Sequence, residues 1–216
     1  KLVYVVVNFS NPSGATLSAE RRGRLVTLSE RYGFVVVADD PYGALRFTGD
    51  DVPAMGGDVV HLGSWSKVLA PALRVGHVVA PEWLQRPLVL AKQAADLTSS
   101  VLAQRVVAHL VGDRAWLDAH VDGLREVYRS RCEALLGALD ERFDIVAPGG
   151  GMFVWARLPV DAEPFAARCL EREVGVVPGN EFAVDGRGFE REVRLSFSQL
   201  DPDGLREAAR RMGEAL

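Results

Sequence analysis

The sequence predicts an α/β protein: part of a mostly parallel sheet covered on both faces, followed by a smaller α+β unit. Three observations predict it. The apolar runs Leu2 to Val7, Phe34 to Ala38 and Val59 to Leu62 are of strand length and continuous rather than alternating, the mark of strands buried on both faces. Helical segments separate these runs, and alternating strands and helices favour a parallel sheet. Beyond Phe143 the elements become shorter and alternate in a tighter rhythm.

Taken in order, Leu2 to Val7 forms the first strand, stopped by the turn-forming Asn11-Pro12-Ser13-Gly14. Ser18 is placed to cap a helix, with Arg21 where a capping box would have Glu. Leu25, Leu28 and Tyr32 supply its apolar stripe, and Gly33 ends it. The second strand ends at Asp39-Asp40-Pro41, and the third at Gly63-Ser64-Trp65-Ser66-Lys67. Arg74 to Ala80 predicts a fourth. Leu84 to Leu110 reads as helix with a break at Leu97 to Ser100. Asp113 to Leu139 carries one long helix, since Leu117, Val121, Leu124, Tyr128, Cys132, Leu135 and Leu139 recur every three or four residues. The smaller unit has strands at Met152 to Arg157, Val174 to Val177 and Val193 to Phe197, a helix from Ala162 and a last helix from Asp203. The expected division is 1–138, with the long helix as connector, and 139–216. The chain opens at Lys1 directly into a strand, which predicts a fragment of a longer protein.

Composition narrows the function. Lys and Arg number 25 against 29 Asp and Glu, a net charge of −4 with no basic cluster. That argues against nucleic-acid or anionic-membrane partners. No apolar run approaches a membrane span. Two cysteines, Cys132 and Cys169, make no disulfide framework, so the cytoplasm is the expected compartment. Asn8-Phe9-Ser10 matches a glycosylation sequon, read as a chance match without a secretory signal.

Ligands of open α/β sheets bind beyond the carboxyl ends of the strands. The first strand delivers Asn11 there, the second Asp39 and Tyr42, the third Ser64, Ser66 and Lys67, with Arg74 seven residues on. An amide, an acid, a phenol, an amine and a guanidinium on one rim are what a phosphorylated pyridine aldehyde needs. Lys67 can form a Schiff base, given partial desolvation or cationic neighbours. Asp39 can keep a pyridine nitrogen protonated, turning the ring into an electron sink. Tyr42 and Asn11 can hydrogen-bond a ring oxygen. Ser64, Ser66 and Arg74 suit a phosphate through short donors and a planar fork.

Asn11-Pro12-Ser13-Gly14, Asp39-Asp40-Pro41-Tyr42-Gly43, Ser64-Trp65-Ser66-Lys67 and Leu73-Arg74-Val75-Gly76 stand in order, with 28 residues from Asn11 to Asp39 and 28 from Asp39 to Lys67. In this order and spacing they resemble the class I/II pyridoxal-phosphate aminotransferases of fold type I. The likeness is nearest to the 2-aminoadipate/kynurenine multi-substrate branch and continues through Gly150 to Trp155, Val177-Pro178-Gly179 and Val193 to Ser198. It implies that Lys67 carries pyridoxal 5'-phosphate and shuttles a proton. Asp39 would pair with the ring nitrogen, Tyr42 and Asn11 would contact the phenolic oxygen, and Ser64, Ser66 and Arg74 would bind phosphate. Arg194, on a late strand, would clamp the α-carboxylate of an α-amino acid. A 2-oxo acid such as 2-oxoglutarate would be the acceptor, and the full-length protein would be a homodimer.

Relatives in this family are nearly twice as long, so the resemblance also implies an absent N-terminal part that completes the sheet, the phosphate loop and the substrate pocket. An isolated piece of this kind is expected to be inactive. Two rivals remain: the effector-sensing body of a winged-helix transcription regulator, and another fold type I enzyme such as a lyase or decarboxylase. The intact Asn11 and Asp39 motifs favour the aminotransferase. Elsewhere the bland readings hold. Asp40 starts a turn, Gly149 to Gly151 lacks the Lys of a phosphate loop, and the four histidines show no metal-ligand spacing. The tryptophans pack, and Glu20, Arg21, Arg22 and Arg24 belong on a solvated helix face.

Overall fold

The computed structural model describes residues 1–216, which fall into two compact units. The first holds Lys1–Asn8, Thr16–Leu45 and Gly49–Leu124; the second holds Phe9–Ala15, Arg46–Thr48 and Arg125–Leu216. The sequence-based boundary at 138 sits at the end of the long helix, whereas compactness divides the chain at Leu124, within it. Two short excursions, Phe9–Ala15 and Arg46–Thr48, leave the first unit to join the second.

The first unit is a four-stranded sheet in the order β1-β2-β3-β4, made of β1 (Leu2–Val6), β2 (Val35–Asp40), β3 (Val59–Ser64) and β4 (Gly76–Val79). β1, β2 and β3 run parallel, with Val6 opposite Asp39 and Asp39 opposite Leu62. β4 is antiparallel to β3, Gly76 facing Ser64. The connection between those two strands holds only turns and a short 3-10 helix (Pro71–Leu73), too little for the crossover that parallel strands require.

Helix α1 (Ala19–Tyr32) has the predicted caps: Ser18 Oγ accepts from Arg21 N, and Gly33 closes it in the left-handed region at φ 66°. Its buried stripe differs from the expected one. Tyr32 is exposed, while Arg22, on the face of Leu25 and Val26, is buried at 4% exposure. The core here is Val7, Val36, Ala38, Met55 and Val59, with Val5, Leu25, Val26 and Phe34 packed against it. Helices α2 (Glu82–Asp96) and α3 (Val101–Gly112) are separated at the predicted break, with Ser100 capping α3. Helix α4 (Arg114–Ala138) runs from the first unit into the second.

The second unit carries β5 (Asp144–Ile145), β6 (Phe153–Arg157), α5 (Ala162–Leu170), β7 (Val177–Pro178), β8 (Glu192–Ser196) and α6 (Pro202–Ala215). The strand expected at Val174 to Val177 is only the pair Val177–Pro178. Its sheet is antiparallel, in the order β5-β6-β8-β7, which places β8 between two partners. Phe165, Phe197, Val154, Val193 and Leu205 form its fully buried interior. Cys132 and Cys169 are buried as predicted, and burial pushes their thiols up to about 12 and about 11.

Candidate active site

Parallel strands end on the same side, so β2 and β3 deliver their last residues to one rim, with Asp40 opposite Gly63. The end of β2 is built around two adjacent acids with separate partners. Asp40 accepts from Asn8 Nδ2 at 2.7 Å and from Gly43 N at 2.8 Å, so it holds the turn as expected. Gly43 is required there, because a Cβ would lie 2.5 Å and 2.7 Å from the two oxygens of Asp40. The turn continues with Leu45 N donating to Tyr42 O, and Tyr42 is buried.

Arg22 anchors this arrangement from behind, and its burial corrects the solvated-face expectation. Its guanidinium donates to Asn8 Oδ1 and Val7 O at the end of β1, and to Leu17 O, Val52 O and Pro53 O. Five acceptors offset the cost of removing a charge from water. Asn8, the sequon asparagine, is buried at 5% exposure with both ends of its amide engaged.

Asp39 points elsewhere. Its Oδ2 accepts a hydrogen bond from the Tyr4 hydroxyl on the neighbouring strand. That bond, then burial and the charges of Asp39 and Tyr42, push the Tyr4 phenol up to about 12. Tyr4 was not among the residues singled out by sequence. The available signal was a polar tip inside the otherwise apolar run of β1, but the register that brings it to Asp39 is a tertiary fact.

The turn after β3 carries Ser64, Ser66 and Lys67. Ser66 N donates to Ser64 Oγ at 3.2 Å, and Leu69 N donates to Trp65 O at 2.8 Å. Arg74, left-handed at φ 53°, folds its side chain back so that Nη1 donates to Ser66 Oγ at 3.4 Å and to Pro71 O at 3.1 Å. Ser64, Ser66 and Arg74 are thus brought together around the turn that carries Lys67. Lys67 is half-buried, and the turn is fixed by buried Val68, whose carbonyl accepts from His120 Nε2 at 2.8 Å. Trp65 packs on the His77 ring at 5.6 Å, which Gly63 permits by having no side chain in the way.

Asn11 and Arg194 belong to the second unit. Arg194 sits on β8, opposite Trp155 of β6 and Val177 of β7. Its guanidinium carbon lies 4.5 Å from the Phe153 ring centre and 4.9 Å from that of Phe182. Nη1 donates to Asn11 Oδ1 at 2.9 Å. Phe182 is held edge-on by Trp155 at 5.8 Å, so that tryptophan packs as expected. A guanidinium held between aromatic faces with an amide at one corner is suited to a planar carboxylate. Phe153 and Phe182 were also missed by sequence, since only the fold brings a residue of β6 and the end of the short 3-10 helix Gly179–Phe182 to Arg194.

A large groove of about 1070 Å³ lies along β4 and α2, lined by residues including Val78, Val79 and Val89. None of the candidate residues lines it.

The chain is similar to known proteins over nearly its whole length. The family model "Aminotransferase class I and II" matches residues 1–212. The chain is 36% identical over 227 residues to aromatic-amino-acid aminotransferase 1 of Thermococcus litoralis, covering all of this chain and 54% of that protein. The crystal structure of LysN, an α-aminoadipate aminotransferase of Thermus thermophilus complexed with N-(5'-phosphopyridoxyl)-L-leucine, superposes with a TM-score of 0.92 at 37% identity, over all of this chain and 58% of that one. The transcriptional regulator NorG of Staphylococcus aureus is 30% identical over 96% of this chain and 48% of its own length. The chain spans about half the length of the relatives it matches. On the match across nearly its whole length, this chain belongs to the class I and II aminotransferase family.

Proposed function

We propose that the protein is a pyridoxal-phosphate-dependent aminotransferase that moves an amino group between an α-amino acid and a 2-oxo acid in a ping-pong cycle. One observation carries the reading: the amine of Lys67 stands on a turn whose own residues, Ser64, Ser66 and Arg74, already converge. Two hydroxyls and a planar cation suit a phosphate dianion. Asp39, one strand away, suits a pyridine nitrogen. The donor set fits pyridoxal phosphate, and the phosphopyridoxyl adduct bound by LysN supports the fit.

When bound, this cofactor supplies an electron sink for charge developing at the substrate α-carbon. Lys67 would hold its aldehyde carbon, Ser64, Ser66 and Arg74 its phosphate, Asp39 its ring nitrogen, and Tyr42 and Asn11 its phenolic oxygen. Lys67 Nζ is the base that takes the α-proton of the substrate. Arg194 binds the substrate α-carboxylate through two parallel N–H···O bonds, with Phe153 and Phe182 fixing the plane of the fork. The names of LysN and of the Thermococcus relative support 2-aminoadipate and aromatic amino acids as donors. The proposal extends to 2-oxoglutarate as acceptor, a homodimer and a cytoplasmic location. No helix is long and apolar enough to cross a membrane.

The test is transfer of labelled nitrogen. Full-length protein given pyridoxal phosphate, an amino acid with an isotopically labelled amino group and 2-oxoglutarate should produce labelled glutamate, and Lys67→Ala should abolish it. Absence of transfer across 2-aminoadipate, aromatic and branched donors would contradict the proposal. It would favour a second reading, an effector-sensing body, for which the NorG match is the specific support.

A further inference from the structure

Tyr4 is the one polar-tipped residue of β1, and its hydroxyl is committed to an acid on the next strand. Tyr4 lies opposite Val37, and Val6 lies opposite Asp39. Side chains two residues apart on a strand share a face, so Tyr4 and Asp39 are diagonal neighbours within reach of a long aromatic side chain. The bond occupies Oδ2 of Asp39, and no side chain donates to Oδ1. The neighbouring acid is excluded from this role, because both its oxygens are held by Asn8 and Gly43. The two consecutive carboxylates are therefore sorted by their partners: Asp40 holds the turn, and Asp39 is held by Tyr4.

We propose that Tyr4 is a positioning residue for Asp39, donating to Oδ2 so that Oδ1 is aimed at the protonated ring nitrogen of the cofactor. The inference rests on the reading of Asp39 given above and deepens it. A carboxylate at a strand end turns about two side-chain torsions, and a donor fixed at one oxygen removes that freedom before the cofactor arrives. The donor is durable: the phenol, pushed up to about 12, keeps its proton through the neutral range. Tyr42 is near enough for its charge to be felt at Tyr4, which places Tyr4, Asp39 and Tyr42 in one neighbourhood.

The experiment compares pyridoxal phosphate with its deaza analogue, in which CH replaces the ring nitrogen. Affinities of both are measured by absorbance titration of the full-length protein and its Tyr4→Phe and Asp39→Asn variants, with circular dichroism as the check on folding. Tyr4→Phe should weaken pyridoxal phosphate by roughly three- to tenfold, the range of one hydrogen bond, and leave the deaza analogue unchanged. Adding Tyr4→Phe to Asp39→Asn should cost nothing further. Equal weakening of both ligands would show a merely structural role and overturn the inference, as would no effect on either. If Asp39→Asn weakens pyridoxal phosphate and Tyr4→Phe does not, the inference falls alone. If Asp39→Asn itself has no effect, the reading of Asp39 falls and the inference falls with it.

Discussion

Arg194 Nη1 donates to Asn11 Oδ1 at 2.9 Å across 183 residues of sequence. The contact lies within the second unit, to which the short segment Phe9–Ala15 belongs although residues of the first unit flank it in the chain. One corner of the guanidinium is thereby fixed by an amide while two phenyl rings flank it. On the proposed reading, the fork is oriented before any substrate carboxylate reaches it.

Replacing that fork should separate substrate binding from cofactor binding. Arg194→Lys keeps the charge and loses the bidentate geometry, and Arg194→Ala loses both. Losing a charge-assisted pair of bonds is worth about 2–4 kcal/mol, so Arg194→Ala should raise the dissociation constant for amino acids about 30-fold or more. The affinity for pyridoxal phosphate should stay within about twofold of the parent. Spectral titration with each ligand measures both, and an unchanged amino-acid affinity would remove Arg194 from the carboxylate role.

The aromatic faces make a smaller, separable contribution. A cation over a ring contributes about 0.5–2 kcal/mol, so Phe182→Leu should weaken amino-acid binding by several-fold and again spare the cofactor. The same titration reads it. No change would mean that the rings merely fill space beside Arg194.

Arg22 is predicted to be a stability residue. Its removal takes a donor away from five acceptors, among them Val52 O and Pro53 O. Arg22→Met should destabilise the fold by about 3 kcal/mol, seen as a lower urea midpoint. Arg21→Met and Arg24→Met, on the exposed face, should stay within about 0.5 kcal/mol of the parent.

That contrast shows what the sequence could and could not convey. Caps at Ser18 and Gly33, the strand-length apolar runs and the break before Ser100 are local features, and they are where residue type alone places them. Arg22 reads as surface because nothing local distinguishes it from Arg21 and Arg24; only folding brings the carbonyls of 52–53 and Asn8 to it. Tyr4 was silent for a similar reason, since its partner lies 35 residues away through a strand register. The antiparallel sense of β4 was implicit in the short link from Ser64 to Gly76. The segments Phe9–Ala15 and Arg46–Thr48 carry no sequence mark of the unit they join.

The Tyr4–Asp39 bond also has a pH signature. The phenol ionises near 10 in an unfolded chain and is pushed up to about 12 in the fold, first by its bond to Asp39. A pKa raised by folding stabilises the protein fully below the unfolded value, and that stability is lost as pH climbs through the folded one. The stability difference between the parent and Tyr4→Phe should therefore shrink from about pH 10 to about pH 12. Urea unfolding of both proteins across that window is the measurement, and a constant difference would mean the bond contributes nothing.

On the proposed reading, Lys67 is the amine that carries the cofactor. Full-length protein is loaded with pyridoxal phosphate, reduced with borohydride, digested and mapped by mass spectrometry. A single phosphopyridoxyl group is expected on Lys67, in the peptide containing Ser64-Trp65-Ser66-Lys67. A stable label on Lys1, Lys92 or any other lysine instead, or no label at all, would contradict it.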